Sequence, residues 1–393
     1  MRILVITPIY NIEGRKELFH DSSAIHYLFN LIAEHHDVYV LNTYFASIRE
    51  LSRFIKKDAL KYFIFGYQYN SDNVKVEMIE TQLLYKQVFL TKFQQKRLEK
   101  KICVIVNERN PNIICVHFPT SYYGVLNKAL SNTPMIAILH QTDINRIKKY
   151  SNKEKLINYL NKNFLNIYAR SHRIANEAKN LGLEVSDRII FSGVSVDNSY
   201  MIENKFINNY CIRNLFYAGK LIKRKNLDLI LSAFLKLEHL YPSKKLTLSI
   251  AGDGNQFNYL KSLAHYSSNI RFLGSKSRNE VLQIMSSSDV FIMPSVNETF
   301  GIVYLEAMSR GCITIGTKGE GIDGIIEDGI NGFLVSPNEK DIFCCLEKVI
   351  NLESWRLREI SKSAINTAKK YNSQAASDNY EEIIFSNLSY TEP

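Results

Sequence analysis

No apolar run in this chain is long enough to cross a bilayer; Ile113 to Val116 and Val290 to Met293 fall far short of the ~20 residues a spanning helix needs. The chain is therefore not expected to span a membrane. Its start, MRILVITPIY, leads to no small-residue cleavage site and reads as a first β-strand rather than a leader. Cysteine is scarce and scattered. None of Cys103, Cys115, Cys211, Cys312, Cys344 and Cys345 has the spacing of a zinc or redox motif, so buried free thiols in a reducing cytosol are expected. There is no short-period repeat, no low-complexity segment and no complete dinucleotide fingerprint.

What is present is a globular composition, 46% hydrophobic and 22% charged, over 393 residues, too many for one ordinary core. Short β-rich runs alternate with helical stretches: ILVITPIY, an amphipathic segment from Ser22 to Glu34, DVYVL, then IICVHF, MIAILH, RIIFS, NLFYAG, LTLSIAG, IRFLG, VFIMPS and ITIGT. Such alternation predicts parallel sheets covered by helices. Two open sheets are favoured over one barrel, because Val194 to Arg213 is polar and irregular and a fresh strand-turn-helix series begins at Asn214. The expected domains are 1–197 and 198–370, with the last helix, within 371–393, returning to pack on the first.

The net charge of +10 is one-sided: 27 Lys and Arg face 18 Asp and Glu up to residue 200, against 22 and 21 after it. That field suits an anionic partner of the first half, a membrane surface or a polyanion. The stretches SIRELSRFIKKDALKYFIF and YKQVFLTKFQQKRLEKK mix basic and apolar residues at helical spacing, as a helix lying on an anionic membrane would. An ordinary surface helix with its stripe packed inward reads the same way.

Open parallel sheets bind ligands beyond the carboxyl ends of their strands, where turns lead into helix N-termini. In NLFYAGKLIKRKN, a basic cluster of Lys220, Lys223, Arg224 and Lys225 precedes a helix starting near Asn226. Cations at a helix's positive end are misplaced unless an anion joins them, and a diphosphate would serve; a solvated basic turn is the other reading. In VFIMPSVNETFGIVYLEAMSRG, Thr299 or Asn297 is placed to cap a helix beginning around Gly301, with Glu298 before it and Glu306 inside it. Carboxylates suit the paired hydroxyls of a sugar or ribose, and an acid in the apolar context IVYLEAM is costly to bury without a partner. Softer signals are Gly252-Asp253-Gly254, a tight turn, and Gly319, Gly321 and Gly324, which either admit a ligand or only shape a loop.

Taken in order, these stretches resemble the donor-binding domain of glycosyltransferase family 4, retaining enzymes of the GT-B fold. GKLIKRKN is similar to that family's Gly-Arg-Leu…Lys turn, NETFGIVYLEAMSRG to its paired-glutamate motif and EDGINGFLV to its closing loop; the first half matches more loosely, through PNIICVHFPTSYYG, MIAILHQTDI and RSHRIANEAKNLGL. The resemblance implies an α/β, GT-B architecture, two Rossmann-like doubly wound parallel-sheet domains facing a cleft, with an N-terminal acceptor domain and a C-terminal nucleotide-sugar domain. It implies that Lys220 and Lys225 hold the donor diphosphate, that Glu306 binds the ribose, and that Glu298 contacts the transferred sugar. Thr299, Phe300, Gly301 and Ile302 would complete the donor site, and His140 would reach the reacting sugar from the first domain. A UDP-sugar is favoured over a GDP-sugar. No metal or other cofactor is implied, since lysines and helix N-termini neutralise the leaving diphosphate. Lys220 stands where the family has arginine, Gln141 where a glycine is common, and Gly14 is the sole glycine of the first loop, where acceptor-side phosphate contacts would lie.

The implied activity is transfer of a sugar to a glycan or lipid-diphosphate acceptor in bacterial surface-polysaccharide synthesis. Its expected place is the cytoplasm, peripheral at the inner membrane face. Rivals are a sugar-nucleotide epimerase or phosphorylase of the same fold, and a basic nucleic-acid-binding protein, against which the paired glutamates argue. Lys225→Ala is expected to depress turnover more than folding.

Overall fold

The computed structural model describes residues 1–10, 23–47, 67–83, 90–127, 132–191, 211–298 and 300–389. They form two compact units, Met1–Gly193 with Ser373–Pro393, and Val194–Asn372. Most of the irregular stretch from Val194 to Arg213, and of the first basic stretch from Ser47, lies outside the described residues.

The first unit holds an eight-stranded sheet of β1 (Arg2–Thr7), β2 (Asp37–Ser47), β3 (Tyr67–Ser71), β4 (Val74–Leu83), β5 (Ile113–His117), β6 (Met135–Leu139), β7 (Asn166–Ala169) and β8 (Val185–Ile189). Its order is β3-β4-β2-β1-β5-β6-β7-β8, and all pairs are parallel except the β3–β4 hairpin. Among the described residues up to 191, five helices accompany it: α1 (Ser23–Ile32), α2 (Lys92–Arg109), α3 (Gln141–Lys149), α4 (Lys153–Asn163) and α5 (His172–Asn180). Because both faces of the sheet are covered, its central strands are largely apolar and each side chain's parity chooses a layer. Ile3, Val5, Val38, Val40 and Cys115 pack with Phe29 of α1 and with Tyr380, Ile383 and Ile384 of the chain's last helix, Ser373–Leu388. Leu4, Ile6, Leu41, Ile114 and Val116 pack the other way, with Leu98 and Ile102 of α2 and Ile144 of α3.

The second unit repeats the design with β9 (Asn214–Ala218), β10 (Thr247–Ala251), β11 (Ile270–Gly274), β12 (Val290–Ile292), β13 (Ile313–Thr317) and β14 (Phe333–Val335). Its helices are α6 (Leu227–Leu240), α7 (Phe257–Leu263), α8 (Arg278–Ser287), α9 (Ile302–Ser309), α10 (Glu339–Ile350) and α11 (Ser354–Lys370). The order β11-β10-β9-β12-β13-β14, parallel throughout, is that of a doubly wound dinucleotide-type sheet. Such a sheet reverses its winding between β9 and β12, so its crevice opens beyond the carboxyl ends of those two strands. In the first unit the equivalent reversal lies between β1 and β5.

The cysteines correct one expectation. All six are free, but only Cys115 and Cys312 are buried, while Cys211 and Cys344 are exposed. Cys344 lies on the solvent side of α10, whose Ile342 and Leu346 face the core.

Candidate active site

Two loops meet at the winding reversal of the second unit, Gly219–Asn226 after β9 and Met293–Gly301 after β12. The first is braced from below by the turn after β10. A Cβ on Gly252, whose φ is +144°, would come within 1.9 Å of the Gly219 carbonyl oxygen, and one on Gly254 within 2.4 Å of that of Leu221. Those glycines permit the backbone contact Leu221 N–H to Asp253 O at 2.9 Å. The Gly-Asp-Gly turn is thus occupied in supporting the β9 loop.

Side chains then tie the two loops together. Asn226, left-handed at φ 52° and capping α6, donates to Pro294 O at 2.7 Å, and Val296 N–H donates to Arg224 O at 2.9 Å. Lys225 is buried, at 8% exposure, with its Nζ 2.5 Å from Glu298 Oε1 and 3.5 Å from Met293 Sδ. The same carboxylate oxygen accepts from Arg224 Nη1 and Ser295 Oγ, each at 2.7 Å. Burial alone would raise the Glu298 pKa, but Lys225, Ser295 and Arg224 outweigh it and hold the carboxyl below its ordinary value. Glu298 is therefore a fixed anion whose backbone N–H is itself held by Glu320 Oε2 at 2.9 Å. Lys220 stands apart from this cluster, exposed, its carbonyl accepting from the Tyr217 hydroxyl at 3.1 Å.

The helix cap differs from expectation. Gly301 is the N-cap of α9, left-handed at φ 79°, and has no side chain to cap with; Asn297 is exposed and is itself left-handed at φ 58°. The chain turns so sharply at Gly301 that a Cβ would meet the Tyr304 ring at 2.5 Å, so only glycine fits. Tyr304 anchors the helix through its hydroxyl to Met293 O at 2.5 Å. Phe300 turns its ring inward, 4% exposed and 6.1 Å from the Tyr371 ring, while Ile302 opens the helix.

Every residue of α9 from Tyr304 to Ser309 is buried, Glu306 included. Its Oε1 accepts from Arg278 Nε at 2.7 Å, at the start of α8, whose N-cap is Ser277. Burial raises the Glu306 pKa, opposed by Arg278 and Arg310. Glu298 and Glu306 thus flank the N-terminus of α9 in opposite electrostatic states, one pushed down and one up. The closing loop is self-contained: Asn331 Nδ2 donates to Ile325 O at 2.9 Å and Thr367 Oγ1 at 3.0 Å, and Leu334 N–H donates to Asp328 Oδ1 at 2.9 Å.

In the first unit, His117 ends β5 and His140 follows β6. His117 Nδ1 lies 3.1 Å from His140 Nε2, and its Nε2 lies 3.1 Å from the Tyr380 hydroxyl. Phe118 stacks on the His140 ring with centroids 3.7 Å apart. It does so from a left-handed backbone, φ 57°, a costly conformation for an aromatic residue and worth about 1–3 kcal/mol of local strain. Asp143 clamps the two loops, its Oδ2 accepting from His140 N–H at 2.8 Å and its Oδ1 from Thr120 Oγ1 at 2.5 Å.

Residues 213–371 match the family model of the group 1 glycosyl transferases. An uncharacterized glycosyltransferase of Methanocaldococcus jannaschii is 27% identical over 320 residues, 75% of this chain and 77% of its own. The second unit thus carries the match to the group 1 glycosyl transferases, and the likeness to a glycosyltransferase runs along three quarters of the chain. The lipopolysaccharide core biosynthesis glycosyltransferase LpsE of Rhizobium meliloti is 26% identical over 172 residues, 43% of this chain and 48% of that one. In three dimensions the chain is similar to Anabaena HepE, solved in complex with UDP and with UDP-glucose; against the UDP complex the TM-score is 0.68 at 17% identity, covering 98% of this chain and 100% of that one. The chain has the GT-B fold, with two parallel-sheet α/β domains.

Of the site residues expected from sequence, the structure joins Lys225 to Glu298 directly and leaves Lys220 outside that cluster. Gly14 and Thr299 lie outside the described residues. Sequence reasoning did not single out Ser295, Arg278 and Glu320 around the carboxylates, nor His117 and Tyr380 beside His140. Serine, arginine and glutamate on neighbouring loops carry no pattern of their own, but His117 ends a wholly apolar strand, and that position was a usable signal.

The two imidazoles make the chain's stability depend on pH. Burial lowers the pKa of both well below the ordinary value, and the nearby Arg170 charge pushes the same way. The unfolded chain then binds more protons than the folded one as pH falls through ~6.5, so stability is lost on acidification from that point downward. Two such groups give a slope of up to about 2.7 kcal/mol per pH unit. Urea unfolding between pH 7.5 and 5.5 should show it, and His117→Phe should reduce it; a flat profile would mean the histidines are already protonated in the fold.

Proposed function

We propose that this chain is a retaining, metal-independent glycosyltransferase of family 4 that moves a sugar from a UDP-sugar to a glycan or lipid-diphosphate acceptor in bacterial surface-polysaccharide synthesis. The observation that carries the reading is the pair of cation-held carboxylates flanking the glycine-capped N-terminus of α9, at the winding reversal of a doubly wound sheet. In this reading the second unit is the donor domain and the first the acceptor domain.

Lys225, with Lys220, supplies positive charge for the diphosphate, and the backbone amides of Phe300, Gly301 and Ile302 add the helix dipole's positive end. Thr299 adds a hydroxyl. Glu298, kept ionised, accepts hydrogen bonds from the hydroxyls of the transferred sugar, and Glu306 from the ribose. His140 contacts the reacting sugar as a neutral imidazole. The departing diphosphate is stabilised by these cations and amides, which is the role a metal would otherwise fill. Attack on the same face of the sugar as departure gives retention. Choice of UDP follows HepE, solved with UDP and UDP-glucose, and the glycan acceptor follows LpsE, a glycosyltransferase of lipopolysaccharide core biosynthesis.

A thermal-shift screen of UDP- and GDP-sugars tests the reading. A bound donor at a hundred times its Kd stabilises by about 2.7 kcal/mol, so UDP-sugars should raise the melting temperature in EDTA as well as without it. A shift with GDP-sugars alone would transfer the assignment to another nucleotide, and none with either would end it.

Peripheral attachment at the inner membrane face belongs to the same proposal. On α2, Phe93 is 76% exposed beside the exposed Lys92, Lys96 and Arg97, an apolar anchor among cations. Sedimentation with phosphatidylglycerol vesicles, lost in high salt and in Phe93→Glu, is expected; equal sedimentation with phosphatidylcholine vesicles would sink it.

A further inference from the structure

Tyr380 belongs to the last helix and reaches into the first unit at the point where its sheet reverses winding. Its ring lies parallel to that of His117, 6.1 Å between centroids, and 5.3 Å edge-on from Phe29. Its hydroxyl is 3.1 Å from His117 Nε2 and also hydrogen-bonds the Cys115 thiol of β5. His117 passes the contact on, Nδ1 to His140 Nε2 at 3.1 Å. Tyr380 and His117 are fully buried, both under 1% exposed, while His140 at the end of the row keeps part of its surface open.

A row of this kind has a direction. Each neutral imidazole carries one N–H and one bare nitrogen, so each can donate on one side only. If Tyr380 donates to His117, then His117 Nδ1–H donates to His140 and the His140 proton is on Nδ1. If the row runs the other way, His140 donates from Nε2 and Tyr380 accepts. The tautomer of His140 is therefore coupled to the orientation of a hydroxyl 240 residues further along the chain.

We infer that Tyr380 and His117 are positioning residues for the transfer reaction, fixing the tautomer and ring plane of His140 through this hydrogen-bonded row. The inference rests on the reading that His140 contacts the sugar. Burial supports it, since both imidazoles stay neutral and the phenol and the Cys115 thiol stay protonated, so no charge disrupts the row. The Phe118 stack holds the ring's plane from the other side but has no polar atom with which to choose a tautomer.

The test is a double-mutant cycle on the full chain, with kcat and donor KM measured for Tyr380→Phe, His140→Ala and the pair. Tyr380→Phe should lower kcat about tenfold with donor KM unchanged, and should lower it no further once His140 is alanine. Independent, multiplying losses would overturn the inference while leaving the role of His140 intact. Unchanged kcat in His140→Ala would overturn the parent reading instead. Histidine-selective 15N spectra provide a second readout that does not depend on activity. His140 should be a single tautomer in the native chain and a mixture in Tyr380→Phe; if that variant does not fold, a mixture in the native chain by itself overturns the inference.

Discussion

Lys225→Ala is expected to lower kcat/KM about a thousandfold and to cost about 3 kcal/mol of stability. A thousandfold loss is about 4 kcal/mol, so turnover still suffers more than folding, but the folding cost is substantial. Read as a member of an exposed basic turn, Lys225 would be dispensable for the fold. In the structure it is buried, and its Nζ is 2.5 Å from Glu298 Oε1. Removing one partner of a buried ion pair strands the other, and Arg224, with a side chain 41% exposed, is too solvated to replace the loss. The effects on fold and chemistry separate in the double variant Lys225→Met with Glu298→Gln. Without a stranded charge it should regain most of the stability, yet it should remain inactive because both the diphosphate's cation and the sugar's acceptor are gone. Chemical denaturation and steady-state kinetics on the three proteins check this, and a stable, active Lys225→Ala would contradict it.

Glu306→Ala is expected to raise donor KM about thirtyfold, a loss of about 2 kcal/mol, with little change in kcat. The proposed contact is to the ribose, remote from the bond being broken, so its energy is shared by ground state and transition state alike. Stability should change little or improve, because the site loses a carboxylate whose burial disfavours its charge, and Arg278 retains solvent on its exposed side. The sign with pH follows. The raised pKa means that the folded chain holds the Glu306 proton more tightly than the unfolded one does. The folded state is therefore relatively favoured as pH falls from the folded pKa to the unfolded value near 4.3, and the charge penalty is fully present above that window. Donor KM should accordingly rise on acidification before ordinary carboxylates titrate, and this rise should vanish in Glu306→Ala. A kcat loss larger than the KM change would move Glu306 to the reacting centre.

The strand runs were legible because both sheets are covered on both faces, so β1, β5, β6 and β13 are buried along nearly their whole length and stand out against their flanks. The hairpin of β3 and β4 was not. Its sequence, YQYNSDNVKVEMIETQL, lies between two basic amphipathic stretches and forms the sheet's edge, where half its side chains are charged or polar. The two carboxylates were conspicuous because Glu306 is an acid inside IVYLEAM and Glu298 immediately precedes a glycine-started helix. Their partners were not conspicuous, for a physical reason. Lys225 and Glu298 are 73 residues apart and Arg278 and Glu306 28 apart, and which cation meets which acid depends on the order of strands in the sheet, which no local pattern encodes. The cap of α9 failed for a related reason. Asn297 has the right chemistry to cap, but the N-cap position falls to Gly301, where the close packing of Tyr304 beneath the turn leaves room only for glycine.

A crystal structure of the chain soaked with a UDP-sugar tests the central claim most directly. The account predicts the diphosphate within hydrogen-bond reach of Lys225 Nζ, the ribose hydroxyls on Glu306 and a sugar hydroxyl on Glu298, with the Lys225–Glu298 contact lengthened or shared. A nucleotide bound elsewhere, with Lys225, Glu298 and Glu306 still paired as they are in the free chain, would contradict it.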